Sequence, residues 1–332
     1  MGARDKMFQS EEKFVAWLGR RSRRRDDRVR VGIGDDAALV KVVPGQDLIL
    51  TTDLSIEGRH FLRNLHPPRS VGHRALARAL SDVAAMGGSP RFALVSIALS
   101  RPLSRAWIEE FYSGLLGLAD RFGVAVVGGD TALVPAQATI DVVVAGEVSA
   151  GKALRRSGAR AGDQLFVSGW LGLSAAGLRL LQARARRSRA TVEAIRAHLY
   201  PEPKCDLGRF LVRARLASAA IDISDGFSTD LGRLCAASGV GACLRAELLP
   251  RPDPGLLGID TLDMALHGGE DYQLLFTVPP HRAAEIPSLF RGVPLRRIGE
   301  IQKTRGLRLV GLDGKRRPLR PRGWDYFRRF AP

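Results

Sequence analysis

The sequence predicts a two-domain chain of mixed α+β and α/β character. Three observations carry this. At 332 residues the chain has room for two domains of ordinary size. Hydrophobic residues make up 45% of it, enough for real cores. Short apolar runs of strand length alternate with stretches of helical period, and the composition changes near Gly151. The domains are therefore read as 1–150 and 151–332. The longest apolar runs, such as Phe92–Leu99 and Ile140–Ala145, are far shorter than a membrane span. Met1–Lys6 has no apolar signal region, so a cytoplasmic location is expected.

The elements follow in order. Ser10-Glu11-Glu12 opens a helix, with a capping hydroxyl and two acids at the positive end of the dipole. Phe14, Trp17 and Leu18 form its apolar stripe. Arg20–Arg30 is too charged for a core and reads as a loop. Strands are predicted near Ala37–Val43 and at Asp47–Thr52, separated by Pro44-Gly45. Read as neighbours, they would bring Asp36 and Asp53 to one end of a shared sheet. Val71, Ala75, Leu76, Ala79, Leu80 and Val83 recur at helical spacing, which predicts a helix over Arg69–Met86 with Asp82 near its end. A strand to Leu99 follows, then a helix capped by Ser104. A buried strand, Val124–Val127, delivers Gly128–Thr131, and Thr139–Val148 is another strand. Beyond Gly151 the reading gives strands at Gln164–Ser168, Ala219–Ile223, Gly241–Ala246, Gln273–Val278, Leu295–Ile301 and Leu307–Val310. Helices fall at Leu171–Leu181, Thr191–Leu199, Cys205–Leu216, Thr229–Ala237 and Thr261–Leu266, and Arg184–Arg189 is an exposed basic loop.

Lys and Arg number 51 against 34 Asp and Glu, a net charge of +17. The excess clusters at Arg20–Arg30, Arg184–Arg189 and Lys315–Arg329 without interleaved aromatics or a zinc-finger pattern. Specific nucleic-acid binding is therefore not expected. Attraction of phosphorylated small molecules is a simpler use of the charge. Cys205, Cys235 and Cys243 show no zinc spacing and read as small apolar thiols.

The chemistry lies in a recurring pattern. Gly32-Ile33-Gly34-Asp35-Asp36 is echoed by Thr51-Thr52-Asp53, Ser81-Asp82, Gly129-Asp130-Thr131 and Asp222-Ile223-Ser224-Asp225-Gly226. In each, a carboxylate sits beside Gly, Ser or Thr at the end of an apolar segment. Brought together, Asp36, Asp53, Asp82, Asp130, Asp222 and Asp225 would repel one another unless hard cations intervened. Magnesium suits carboxylate, hydroxyl and phosphate oxygens. The glycines beside the acids allow a phosphate to approach backbone N–H groups. Walker and protein-kinase signatures are absent, as is a Gly-x-Ser-x-Gly elbow. The pattern points to nucleotide-dependent phosphoryl transfer.

Each motif alone marks a turn more often than a site; their order is specific. Gly32–Ala38, Thr52-Asp53, His60-Phe61, Leu80–Gly87, Gly128–Thr131, Arg156–Ala159, Ile221–Gly226 and Gly268–Tyr272 together resemble the thiamine-monophosphate kinases, of the wider aminoimidazole-ribonucleotide synthetase-like superfamily. The resemblance implies an N-terminal domain that dimerises through its sheet, an α/β C-terminal domain, and a cleft for ATP and substrate. It implies transfer of the γ-phosphoryl of ATP to thiamine monophosphate. By motif, Asp36, Thr51, Thr52, Asp53, Asp82, Asp130, Asp222 and Asp225 would hold several magnesium ions. Gly129, Asp130, Arg156 and Ser224 would touch ATP, and His60, Glu270 and Trp324 would face the thiamine phosphate. Asp53, Asp130, Arg156 and Asp225 would carry the catalysis. A synthetase of the same superfamily, activating an amide oxygen, is the competing enzyme class; the Gly-Gly-Glu-Asp-Tyr element argues against it. A selenophosphate synthetase would want a reactive Cys near the start, and the first here is Cys205. A basic nucleic-acid-binding protein would leave the ordered acidic motifs without a purpose.

Overall fold

The computed structural model of the protein describes residues 11–22, 26–33, 38–100, 104–252 and 260–324. The chain divides into two compact units, one of 1–83 with 88–151, the other of 152–332 with the short segment 84–87. Among the described residues no helix is long and apolar enough to cross a membrane.

The first unit opens with α1 (Glu11–Arg21), then β1 (Val29–Val31) and β2 (Leu39–Val40), which among the described residues form a two-stranded sheet. Next come β3 (Gln46–Ile56), α2 (Pro68–Ala85), β4 (Ser89–Ser100), α3 (Arg105–Phe122), β5 (Ala125–Val134) and β6 (Thr139–Ser149). The sheet order is β3-β6-β4-β5, antiparallel except for the parallel β4/β5 pair. The expected neighbour relation between the strand after Asp36 and the strand of Asp53 is therefore corrected. The first closes a small hairpin and the second pairs with β6.

Period-2 alternation splits this sheet into two faces. Ile49, Val95, Ile97, Val142 and Val144 are buried, on the face that meets α2. The two helices approach closely, since a Cβ on Gly72 would stand 1.9 Å from the Phe111 carbonyl oxygen. Phe14 and Trp17 of α1 pack on Tyr112 of α3, each 5.8 Å between centroids. On the opposite face the β1/β2 hairpin lays Val29, Ala38 and Val40 over Phe92, Ala125 and Val127. Arg28 anchors the hairpin, donating from Nη1 to Glu147 Oε1 at 2.6 Å. The rest of that face is open: Leu48, Leu50, Leu54 and Leu94 are exposed.

The second unit holds β7 (Gln164–Ser168), α4 (Leu173–Gln182), α5 (Arg189–Leu199), α6 (Cys205–Arg213), β8 (Ala219–Asp222), α7 (Phe227–Ser238), β9 (Gly241–Arg245), α8 (Thr261–His267), β10 (Leu274–Val278), β11 (Leu289–Phe290), β12 (Val293–Gln302), β13 (Gly306–Val310) and β14 (Arg316–Pro318). The sheet runs β14-β13-β9-β12-β7-β10-β8, with β11 on the end of β12. Its core joins Leu165, Val167, Ile221, Leu244, Leu275 and Ile298 of the sheet to Phe227, Leu231 and Leu234 of α7 and Ala265 of α8. Cys205, Cys235 and Cys243 are buried free thiols, as the sequence suggested.

Two predicted strands end too early. The strand read as Asp47–Thr52 continues through Asp53 to Ile56, and the one read as Val124–Val127 continues through Asp130 to Val134. Both acids therefore sit inside strands rather than at their ends.

Candidate active site

In the first unit, Thr51 and Asp53 lie on the helix-facing side of β3, opposite Asp82 and Arg78 of α2. Thr51 Oγ1 donates to Asp82 Oδ2 at 2.5 Å, and Arg78 Nε donates to Asp53 Oδ1 at 3.4 Å. Burial pushes the Asp53 carboxyl up to about 6; Arg78 opposes this, while Asp82 and Asp141 add to it. Desolvation and like charge thus outweigh one long arginine contact.

Thr52 points the other way, as alternation requires. Its Oγ1 donates to Asp141 Oδ1 at 2.6 Å. Ser96 is in register with both Asp141 and Asp130, so those two acids share the open face with Thr52. The expected set is therefore divided: Thr51, Asp53 and Asp82 on one side of the sheet, Thr52 and Asp130 on the other. Asp36 lies outside the described residues. Gly129 has a φ of 154°, and a Cβ there would stand 1.9 Å from the Val95 carbonyl oxygen. Strand packing alone demands this glycine.

His60 sits in the bend after β3. Its Nδ1 accepts the Ile56 N–H at 3.0 Å, so in the neutral ring the proton is on Nε2. Glu57 holds the bend: it pairs with Arg63 and accepts the Ala138 N–H at 3.0 Å.

The second unit gathers more. The Ser224-Asp225-Gly226 turn between β8 and α7 is organised by Asp230, which is 1% exposed. Asp230 Oδ2 accepts the N–H groups of Ser224, Asp225 and Gly226 at 3.1, 3.0 and 3.1 Å. The expectation that this turn offers its N–H groups to a phosphate is corrected, because a carboxylate of the chain already fills that nest. Arg233 Nη1 bridges Asp230 Oδ1 at 2.7 Å and Asp225 Oδ2 at 2.6 Å. Burial, then repulsion from Asp225, pushes the Asp230 carboxyl up to about 6 against the pull of Arg233 and the turn.

The carbonyls of the same turn collect the substrate candidates. Glu270 N–H donates to Ser224 O at 2.7 Å, and Trp324 N–H to Asp225 O at 2.8 Å. Ser224, Asp225, Glu270 and Trp324 thus meet at one turn. Glu270 and Tyr272 take φ of 64° and 48°, a left-handed backbone that is costly without glycine. Between them Asp271 is buried and accepts Gly172 N–H at 2.6 Å and Ser174 N–H at 3.0 Å, capping α4. Burial pushes Asp271 up to about 7, with Gly172 and Ser174 acting the other way. Asp222 ends β8 and is buried. Arg156 lies in the exposed segment before β7, its carbonyl accepting Ser238 Oγ at 2.8 Å.

Asp141, Asp230, Arg233 and Glu57 escaped the sequence reading. Asp230 left a usable trace: an acid in the first turn of a helix entered through Ser-Asp-Gly. Asp141 left none, being one polar residue inside an apolar strand.

The family model for the AIR synthase related protein N-terminal domain matches residues 34–148, and that for the C-terminal domain matches 160–311. Thiamine-monophosphate kinase of Salmonella typhimurium is 40% identical over 316 residues, covering 92% of this chain and 94% of its own. The crystal structure of thiamine-monophosphate kinase from Stenotrophomonas maltophilia superposes with a TM-score of 0.81 at 36% identity, over 92% of this chain and 97% of that one. A structure described as AaThiL complexed with AMPPCP and TMP gives a TM-score of 0.77 at 34% identity, over 96% of this chain and 97% of that one. Likeness of this extent, running through both domains in order, makes the chain a member of the thiamine-monophosphate kinase family.

Proposed function

We propose that this chain transfers the γ-phosphoryl group of ATP to thiamine monophosphate, giving thiamine diphosphate and ADP. The observation that carries the reading is the Ser224–Gly226 turn, which ties Glu270 and Trp324, the residues assigned to the thiamine side, to Ser224 and Asp225, those assigned to nucleotide and metal. The relative bound to AMPPCP and TMP supports the same pair of ligands.

The acceptor phosphate is already an oxyanion and needs little help from a base. The obstacle is repulsion. Two unit charges ~4 Å apart repel by about 4 kcal/mol at an effective dielectric of ~20, and two phosphate groups carry more. Arg156 offers an exposed guanidinium to the polyphosphate. Asp230 and Arg233 hold Asp225 and its turn fixed, so no reordering is needed when substrates arrive.

The donor chemistry fits magnesium. Among the described residues no three Asp, Glu, His or Cys side chains form a metal site by themselves. Magnesium ordinarily uses one or two carboxylates and completes its shell with water and substrate phosphate. Asp53 and Asp82 with the Thr51 hydroxyl are such a set, and the raised Asp53 carboxyl marks negative charge that Arg78 does not fully balance. We assign Asp36, Thr51, Thr52, Asp53, Asp82 and Asp130 of the first unit, and Asp222 and Asp225 of the second, to magnesium. Bound there, the ions would neutralise the phosphates and align an in-line transfer. Gly129, Asp130, Arg156 and Ser224 are assigned to ATP, and His60, Glu270 and Trp324 to thiamine monophosphate. The open leucine face of the first sheet supports a homodimer formed through it.

Phosphorus NMR of the protein with thiamine monophosphate, ATP and magnesium tests the reading. Thiamine diphosphate and ADP are expected in equal amounts without free phosphate. ADP with free phosphate, formed only with an amide substrate, would move the chain to the synthetase class.

A further inference from the structure

Past β14 the chain lies across the turn that gathers the candidate site. Leu319 is buried in the core of the second unit, and the residues after it run over the start of α7. Arg322 N–H donates to Ser228 Oγ at 3.3 Å, and Gly323 N–H to Thr229 Oγ1 at 3.0 Å. Trp324 N–H completes the row on Asp225 O at 2.8 Å. Three consecutive amides are thus spent on α7 and on the turn before it. The fit is close, since a Cβ on Gly323 would stand 2.2 Å from Asp225 O.

One side chain fastens this strap from the neighbouring helix. His267, the last residue of α8, has a side chain 9% exposed. A guanidinium can only donate, and Arg322 Nε meets His267 Nε2 at 3.3 Å. The imidazole therefore accepts at Nε2 and carries its proton on Nδ1, which donates to Ser228 Oγ at 2.8 Å. That oxygen is the one that accepts the Arg322 N–H. His267 thus holds the Arg322 side chain directly and its backbone through Ser228. Only the neutral ring can do both. Burial, and after it Arg322, hold the imidazole below its ordinary range, while Asp263 acts the other way. Without His267, Arg322 keeps Asp263 at 2.6 Å. Both partners of that pair are more than half exposed, and such pairs contribute little.

We propose that His267 is a positioning residue: it locks the strap of residues 321–324 on the Ser224–Gly226 turn and so fixes Trp324 for thiamine monophosphate. The substrate half rests on the kinase reading; the strap does not. Because the three amides are adjacent in the chain, loosening Arg322 lets Gly323 and Trp324 lift with it. Ser224, assigned to ATP, stays in place, since Asp230 holds its N–H independently of the strap. The effect therefore falls on the thiamine side alone.

Hydrogen exchange of the full chain, read by mass spectrometry of the tail peptide at pH 8 without substrate, tests the strap. The amides of Arg322, Gly323 and Trp324 are expected to exchange about tenfold faster in His267→Phe, which keeps a ring but can neither accept nor donate. Tenfold is the scale of one hydrogen bond to a charged group. His267→Gln retains an acceptor and should stay near the natural rate. Arg322→Met alters an exposed side chain, should match His267→Phe, and decides the matter if that chain does not fold. In a coupled ADP assay both loosened chains should raise KM for thiamine monophosphate several-fold with KM for ATP unchanged, and His267→Gln should restore the natural value. Natural exchange rates in His267→Phe and Arg322→Met overturn the strap. A loosened tail with an unchanged KM for thiamine monophosphate overturns the positioning of Trp324. Exchange is read without turnover, so failure of the strap is distinct from failure of the kinase reading.

Discussion

Replacing Asp230 separates what its carboxylate does as an acceptor from what it does as a charge. Its Oδ2 takes three backbone N–H groups of the Ser224–Gly226 turn. Alanine leaves all three without their acceptor in a buried place, and each orphaned donor costs about 1–3 kcal/mol. Water entry and relaxation recover part of this, so Asp230→Ala is expected to lose at least about 3 kcal/mol at any pH. Asparagine keeps one carbonyl oxygen, and one oxygen is all the turn uses. Arg233, 41% exposed, then retains Asp225 alone. The charge works in the opposite sense. A carboxyl raised from 3.8 to about 6 favours its protonated form in the folded chain. That contribution is full below the unfolded pKa and is lost as pH rises through about 6, so ionised Asp230 weakens the fold at pH 8 by about 3 kcal/mol. Asp230→Asn should therefore unfold in urea at or above the natural midpoint at pH 8 in metal-free buffer, with the advantage gone by pH 4. Its turnover should fall, because Arg233 is then free to neutralise Asp225. Equal destabilisation by Asn and Ala at pH 8 would refute the reasoning.

Asp53→Asn should cut turnover by at least about 100-fold, the scale of losing one preorganised electrostatic contact, as read by a coupled ADP assay. The same change should raise the thermal midpoint at pH 8, because the carboxyl it removes is held up to about 6 and is costly when ionised; a lowered midpoint would count against this. Gly72→Ala places a Cβ 1.9 Å from the Phe111 carbonyl oxygen and should lose about 1–3 kcal/mol in denaturant unfolding by forcing α2 from α3. Leu50→Lys, at a position 66% exposed on the open sheet face, should convert a dimer to a monomer in sedimentation equilibrium with little change in unfolding of the first unit; an unchanged mass would remove that face from the interface.

Much of the architecture was legible because hydrophobic spacing reports local structure directly. The repeat from Val71 to Val83 predicted α2 to within a residue or two at each end. Ser104 was read as a cap, and its hydroxyl does accept the Trp107 N–H at 3.2 Å. The strands of Asp53 and Asp130 were cut short for a physical reason. Asp and Gly are poor strand formers, so a local reading stops at them. In the sheet, pairing with neighbours on both sides carries β4 and β6 through, and β3 and β5 follow in register.

Which acids meet was less legible, because it depends on side-chain direction and not on motif. Thr51, Thr52 and Asp53 are consecutive, yet Thr52 faces Asp141 while its two neighbours face α2. The turn at Ser224 shows the same limit. Its residues carry the motif, but Asp230 and Arg233 set its shape, and Asp271 pins the loop of Glu270 to Gly172 at the start of α4, 99 residues away in sequence. A carboxylate that binds backbone is hidden in sequence among those that bind ligand. Only the hydrogen-bond partners tell them apart: Asp230 and Asp271 have spent their oxygens on N–H groups, whereas Asp53 holds one long arginine contact with a second acid beside it. Filled nests make scaffold and underbalanced acids make sites. That distinction assigns Asp230 and Asp271 to the frame and leaves Asp53 as the carboxylate with charge to offer.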